Sequence, residues 1–125
     1  MSHRSVSTSE AAPPGGRYSQ GIVAGNLVFL AGQTPFTADG QNPGGSFEEQ
    51  ARRTFDNLAA VARAAGGSLA DTVRVGVYLS DLGDFAALNE IWPDYFKDPL
   101  PARTTIQADL PGFAIEVDAI LVLDA

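Results

Sequence analysis

Cysteine is absent from this 125-residue chain, and its one histidine is His3, close to the N-terminus. Disulfides, thiolate nucleophiles and thiolate metal sites are thereby excluded, and zinc or triad chemistry loses its usual residues. No apolar run approaches the roughly 20 residues that a bilayer crossing requires, and residues 1–16 lack the apolar middle of a signal peptide. A cytoplasmic address is the expectation, with no membrane partner. Positive charge is also scarce, eight Lys and Arg against fifteen Asp and Glu, for a net charge of -7. That is the wrong sign for gripping phosphate backbones, so no nucleic-acid partner is expected. Screening limits the unfavourable field to about 8 Å at physiological salt, so a local arginine can still hold a small anion.

With 45% hydrophobic residues the chain has material for one core, and its length suits a single domain. Residues 1–16, rich in Ser, Pro and Gly, have little to bury and are expected to form a flexible tail. The folded domain is then 17–125. Ser19 to Ala24 and Leu27 to Ala31 read as two strands joined at Gly25-Asn26, a dipeptide suited to positive φ angles. Thr34 to Gly45 is a breaker-rich loop.

Ser46 with Glu49 forms a capping box, after which Phe47, Ala51, Phe55, Leu58, Ala62 and Ala65 recur at helical spacing until Gly66-Gly67. Val73, Val75, Val77 and Leu79 alternate with Thr72, Arg74, Gly76 and Tyr78 as in a strand with one face in the core. Asp84 is placed to cap a second helix carrying Phe85, Leu88, Ile91 and Trp92, ended or kinked by Pro93. Trp92 and Phe96 read as core or subunit packing. Arg103 to Leu110 and Phe113 to Leu123 look like an antiparallel pair. This order lacks the strict alternation of a doubly wound fold and predicts an α+β layer of two helices on one face of a mainly antiparallel sheet. On the last strand Ile120 and Val122 point away from Leu121 and Leu123, so the second face is apolar too, as if another subunit covered it.

Arg103 and Glu116 stand inside otherwise apolar strand-like text. An arginine fork grips a carboxylate through two parallel hydrogen bonds, and a glutamate can orient or deprotonate water. Together they point to a small organic acid. The competing reading is structural: Arg103 paired with Asp109, Asp118 or Glu116, and Glu116 on a solvated face.

Several stretches, in order, carry a resemblance: Arg17-Tyr18-Ser19-Gln20, Gly25-Asn26-Leu27-Val28-Phe29, Ala31-Gly32-Gln33-Thr34-Pro35, Val77-Tyr78-Leu79-Ser80-Asp81, Asp84-Phe85-Ala86-Ala87-Leu88-Asn89-Glu90, Pro101-Ala102-Arg103 and Ile115-Glu116-Val117. The chain resembles the RidA (YjgF/YER057c) family of enamine and imine deaminases from about Gly16 to Leu123. The resemblance implies a chorismate-mutase-like fold and a homotrimer around a central barrel, with ligand clefts between subunits. It implies that Arg103 binds the carboxylate of a 2-imino acid and that Glu116 serves the attacking water. Tyr18, Gly32 and Asn89 would line the cleft, with Thr105 contributing main-chain polar groups. The products would be a 2-oxo acid and ammonia, with no cofactor and no metal. The chain departs from the family at Ala31, where many relatives have serine, at Arg17, where proline is common, at Val117-Asp118, and in a shorter segment between Arg103 and Glu116. A non-catalytic 2-oxo acid sensor, a pathway-specific deaminase, and a ribonuclease or translation inhibitor are the alternatives.

Overall fold

The computed structural model describes residues 2–124. Six strands form one mixed sheet in the order β1-β2-β3-β6-β4-β5. The strands are β1 (His3–Val6), β2 (Gly21–Ala24), β3 (Leu27–Gln33), β4 (Thr72–Leu79), β5 (Ala102–Gln107) and β6 (Ile115–Val122). Helices α1 (Phe47–Ala64) and α2 (Phe85–Ile91) complete the α+β architecture that the sequence predicts.

Local chemistry fixes α1 at both ends. The Ser46 side chain accepts from the Glu49 amide while the Glu49 carboxylate accepts from the Ser46 amide, so the capping box is closed. At the other end Gly66 takes φ +98°, and the Gly67 amide donates to the Ala62 carbonyl at 3.0 Å. The inner stripe of α1, with Phe55, Leu58 and Val61 fully buried, packs on Val28, Val75, Val77, Val117 and Leu121 of the sheet. Each such side chain contributes roughly 1.5–3 kcal/mol by leaving water.

Five expectations are corrected. The segment expected as a flexible tail carries β1, which pairs antiparallel with β2, and buries Val6, Ala11 and Ala12. Gln20 secures it: its side-chain oxygen accepts from the Thr8 amide at 2.7 Å, and its amide nitrogen donates to the Ala12 carbonyl at 2.9 Å. β5 and β6 are not an antiparallel pair. β6 lies between β3 and β4, and β5 runs parallel to β4 along the outer edge. β4, α2 and β5 make a crossover unit, which a parallel pair requires, and β6, with its alternate residues buried, belongs at the sheet centre.

Asp84 precedes α2 but makes no side-chain cap. A 3-10 turn over Leu82–Asp84 comes first, and Asp81 caps that turn through the Gly83 amide at 2.8 Å. On β4, Val73 faces out at 47% exposure, because a register shift between Thr72 and Arg74 gives β4 one extra residue against β6. At the β2–β3 turn positive φ is confined to Gly25, at +62°, and Asn26 does not share it.

The sheet face away from the helices is uncovered in a single chain. Leu27, Phe29 and Ile106 are 37%, 41% and 46% exposed on it, and the register puts Ile120, Val122, Tyr78, Glu116 and Asp118 on the same side.

Candidate functional site

Arg103 sits early in edge strand β5, opposite Val75 of β4, so its side chain rises on the helix-covered face. There α2 meets it. One guanidinium nitrogen donates to Asn89 Oδ1 at 2.9 Å, and the guanidinium carbon lies 4.6 Å from the Trp92 ring centre and 5.4 Å from that of Phe85. Among the described residues the ion pairs are those of Arg52 with Glu48 and Asp94, and none involves Arg103. The expected structural alternative, a carboxylate partner for Arg103, is therefore not what the fold builds. Burial pulls the guanidinium below its ordinary value, yet arginine stays charged in proteins. The result is a cation held by a neutral amide and two rings.

The helix that presents Asn89 is set by aromatic packing. Trp92 is 4.4 Å from Phe96 and 5.7 Å from Phe55 between ring centres, and Tyr95 stacks on Phe55 at 4.9 Å. The expected packing role of Trp92 and Phe96 thus holds for the core, and Trp92 adds a contact to Arg103. Beside them opens a cavity of about 660 Å³ lined by Asn89, Trp92, Phe96, Leu100, Pro101 and Arg103, among others. Thr105 lies two residues along β5 on the same side as Arg103, and its buried hydroxyl has no hydrogen-bond partner among the described residues. An orphaned buried hydroxyl is uncommon and calls for an explanation.

The other predicted residues gather elsewhere. Glu116 on β6 is opposite Tyr78 and points to the uncovered face. Between Leu30 and Gln33 the β3–β6 register shifts by one, and Gly32 falls in that bulge. A Cβ built on Gly32 would lie 2.4 Å from Glu116 Oε2, so the carboxylate rests on bare backbone that only glycine leaves open. Burial first, and then the negative charge of Asp118, pushes the Glu116 carboxyl above the ordinary range. That is the direction a group needs if it is to exchange protons near neutrality. Asp118 itself accepts from the Tyr78 hydroxyl at 3.0 Å.

Tyr18 and Gly32 share a second cavity, of about 190 Å³, walled by Pro13, Pro14, Gly15, Gln20 and Phe113. Tyr18 is 51% exposed, and its hydroxyl accepts from the Gly15 amide at 3.0 Å. The structure thus sorts the predicted residues into two groups, Arg103, Asn89 and Thr105 on one and Tyr18, Gly32 and Glu116 on the other. It does not bring the groups together within one chain. Sequence reasoning missed Phe85 as a neighbour of Arg103, although its spacing to Asn89 and Trp92 was a usable signal. It also missed Gln20 and residues 12–15 as cavity walls, for which composition gave the opposite signal.

A family model described as Endoribonuclease L-PSP matches residues 8–123. The chain belongs to this family, the RidA (YjgF) family. A RidA from the Antarctic bacterium Psychrobacter sp. PAMC 21119 superposes with a TM-score of 0.92 at 38% identity, covering 96% of this chain and 99% of that one. The superposition confirms the RidA fold expected from the motifs, and the family-model match begins well before residue 17. A Pyrococcus abyssi relative named only as a RutC family protein is 42% identical over 96% of this chain and 97% of its own length. The protein named 2-iminobutanoate/2-iminopropanoate deaminase in Dermatophagoides farinae is 35% identical over 97% of both chains. Escherichia coli TdcF, solved with bound serine, has a TM-score of 0.89 at 32% identity, covering 97% of this chain and 99% of that one.

Proposed function

We propose that this RidA-family protein hydrolyses reactive 2-imino and 2-enamino acids to 2-oxo acids and ammonia, in clefts formed between copies of the chain. The observation that carries the reading is an Arg103 cation engaged by Asn89, Trp92 and Phe85 but, among the described residues, by no carboxylate. Its remaining N–H donors are then available for a ligand carboxylate in the bidentate geometry that favours arginine. The deaminase name of one relative and the serine held by another, an amino acid with the same carboxylate, support the substrate class.

In this reading the clefts belong to a homotrimer. Glu116 and Arg103 point to opposite faces of one sheet, so a shared cleft takes Arg103, Asn89 and Thr105 from one copy and Tyr18, Gly32 and Glu116 from the next. The exposed Phe29, Leu27 and Ile106 supply apolar surface for that contact. In this reading the protein works in the cytoplasm.

The chemistry asks for modest help. An enamine first takes a proton on its β-carbon and gives one up from nitrogen to become the imine. Water, losing a proton to Glu116, adds its oxygen to the C=N carbon while the π pair goes to nitrogen, which is protonated. The carbinolamine then expels ammonia as its hydroxyl becomes the carbonyl. Holding carboxylate and water in attack geometry lowers the entropic part of the barrier. A net charge of -7 is the wrong sign for holding RNA phosphates, which argues against a nucleic-acid substrate.

The test is release of 2-oxo acid from an imino acid generated in place by an amino-acid oxidase, against the spontaneous rate. A clear acceleration that Arg103→Ala removes is the expected result. An equal rate with Arg103→Ala defeats the assignment.

A further inference from the structure

Phe85, Asn89 and Trp92 follow one another by four and three residues, which sets them in one stripe along α2 and the turn after it. The stripe runs beside a single side chain, Arg103, with Asn89 Oδ1 at 2.9 Å and the two ring centres at 5.4 and 4.6 Å. We propose that Phe85 and Trp92 form an aromatic clamp that holds the Arg103 guanidinium in its carboxylate-gripping pose, making both of them positioning residues. The inference rests on the reading of Arg103 as the carboxylate anchor.

A guanidinium is weakly hydrated on its faces and carries its N–H donors on its edge, so rings can stabilise it without consuming the donors a ligand needs. One donor goes to Asn89, and that bond fixes the rotation of the fork. An arginine so restrained has already given up rotamer freedom that an unrestrained one would lose on binding. The two rings differ in what else they do. Trp92 is 7% exposed and belongs to the core with Phe55 and Phe96. Phe85 is 42% exposed and stands outside that core. Its contact with Arg103 is the interaction that accounts for a large aromatic there.

Trp92 is the only tryptophan of the chain, so its emission reports ligand arrival at Arg103 directly. The full-length protein is titrated with 2-oxobutanoate, followed by Trp92 fluorescence and by calorimetry, alongside deamination kinetics. Phe85→Leu is expected to keep the melting temperature, weaken 2-oxobutanoate binding about 2- to 5-fold, and raise KM by the same factor with kcat near wild type. Phe85→Tyr restores affinity. Trp92→Phe, measured by calorimetry alone, weakens binding less than Trp92→Leu.

Wild-type affinity in folded Phe85→Leu and Trp92→Leu overturns the clamp. The Arg103 reading survives that result as long as Arg103→Ala abolishes binding. Wild-type affinity in Arg103→Ala overturns both.

Discussion

Arg103 and Glu116 stand on opposite faces of one sheet with a strand between them: Arg103 is opposite Val75 of β4, and Glu116 is opposite Tyr78 of the same strand. Two strand spacings and three residues of rise each separate them by about 10 Å. No rotamer change closes that gap through a sheet. If both act on one substrate, they come from different copies.

Arg103→Lys keeps the charge but loses the planar fork, the ring contacts and the second parallel hydrogen bond. We expect kcat/KM for imino acids to fall about 10- to 100-fold in Arg103→Lys and further in Arg103→Ala. Circular dichroism should be unchanged, because Arg103 sits on an edge strand outside the apolar core. A lysine variant with wild-type kinetics would mean that point charge alone suffices.

Gly32→Ala puts a methyl where the Glu116 carboxylate lies, at 2.4 Å from Oε2. The colliding atom ends a flexible side chain, so the carboxylate swings away at small cost in stability. The expected outcome is a melting temperature within a few degrees of wild type and a deaminase rate reduced at least about tenfold, as removal of a positioned base implies. An unaffected rate would place the working water away from Glu116.

What the sequence made legible was local. The Ser46–Glu49 box, the α1 stripe and the inward residues of β6 are set by neighbours a few positions apart, and each stands as expected. Strand order is decided by distant partners, so nothing near Arg103 told that β5 joins β4 in parallel and leaves β6 to the centre. Val6, Ala11 and Ala12 are too sparse among polar neighbours to announce burial, which depends on the side chain of Gln20. Of the site, motif resemblance gave Arg103 and Asn89, which do touch. Phe85 shares the helical spacing of Asn89 and Trp92, but its contact with Arg103 exists only once α2 lies over β5.

Gln20 is 3% exposed, and its side chain makes hydrogen bonds to Thr8 and Ala12 backbone groups. Gln20→Ala leaves those groups unpaired, at a cost of about 1–3 kcal/mol. Urea denaturation should show the lowered midpoint. The first twelve residues should also become sensitive to protease in Gln20→Ala, while the wild-type segment resists as a paired strand.

Glu116 supplies a pH dependence whose sign can be worked out. Burial and Asp118 raise its carboxyl above the unfolded value, so the folded state binds the proton more tightly than the unfolded state does. Its contribution to stability is complete below the unfolded pKa and is lost as pH rises through the folded one. Glu116→Gln, which cannot ionise, should therefore be more stable than wild type at neutral pH and lose that advantage in acid. Activity should run the other way, with an acid limb in kcat/KM above the ordinary carboxylate range in wild type. Thermal melts and rate profiles from pH 4 to 8 check both signs, and a neutral-pH stability unchanged by the substitution would mean that the carboxylate is fully solvated.

If the cleft is divided between copies, two inactive proteins should complement each other. A cleft built from an Arg103→Ala chain and a Glu116→Gln chain is intact when the first supplies Glu116 and the second supplies Arg103. Random assortment of equal amounts puts about one quarter of the clefts of a symmetric trimer in that state. Mixing the two variants after dissociation and reassembly should thus recover about a quarter of wild-type activity, while each variant alone stays inactive. Phe29→Asp, which places a charge on the apolar face, should abolish the recovery and yield monomers in sedimentation. Activity in a Phe29→Asp monomer, or no recovery from variants shown to have co-assembled, would put the whole cleft in one chain and remove the reason for joining Arg103 to Glu116.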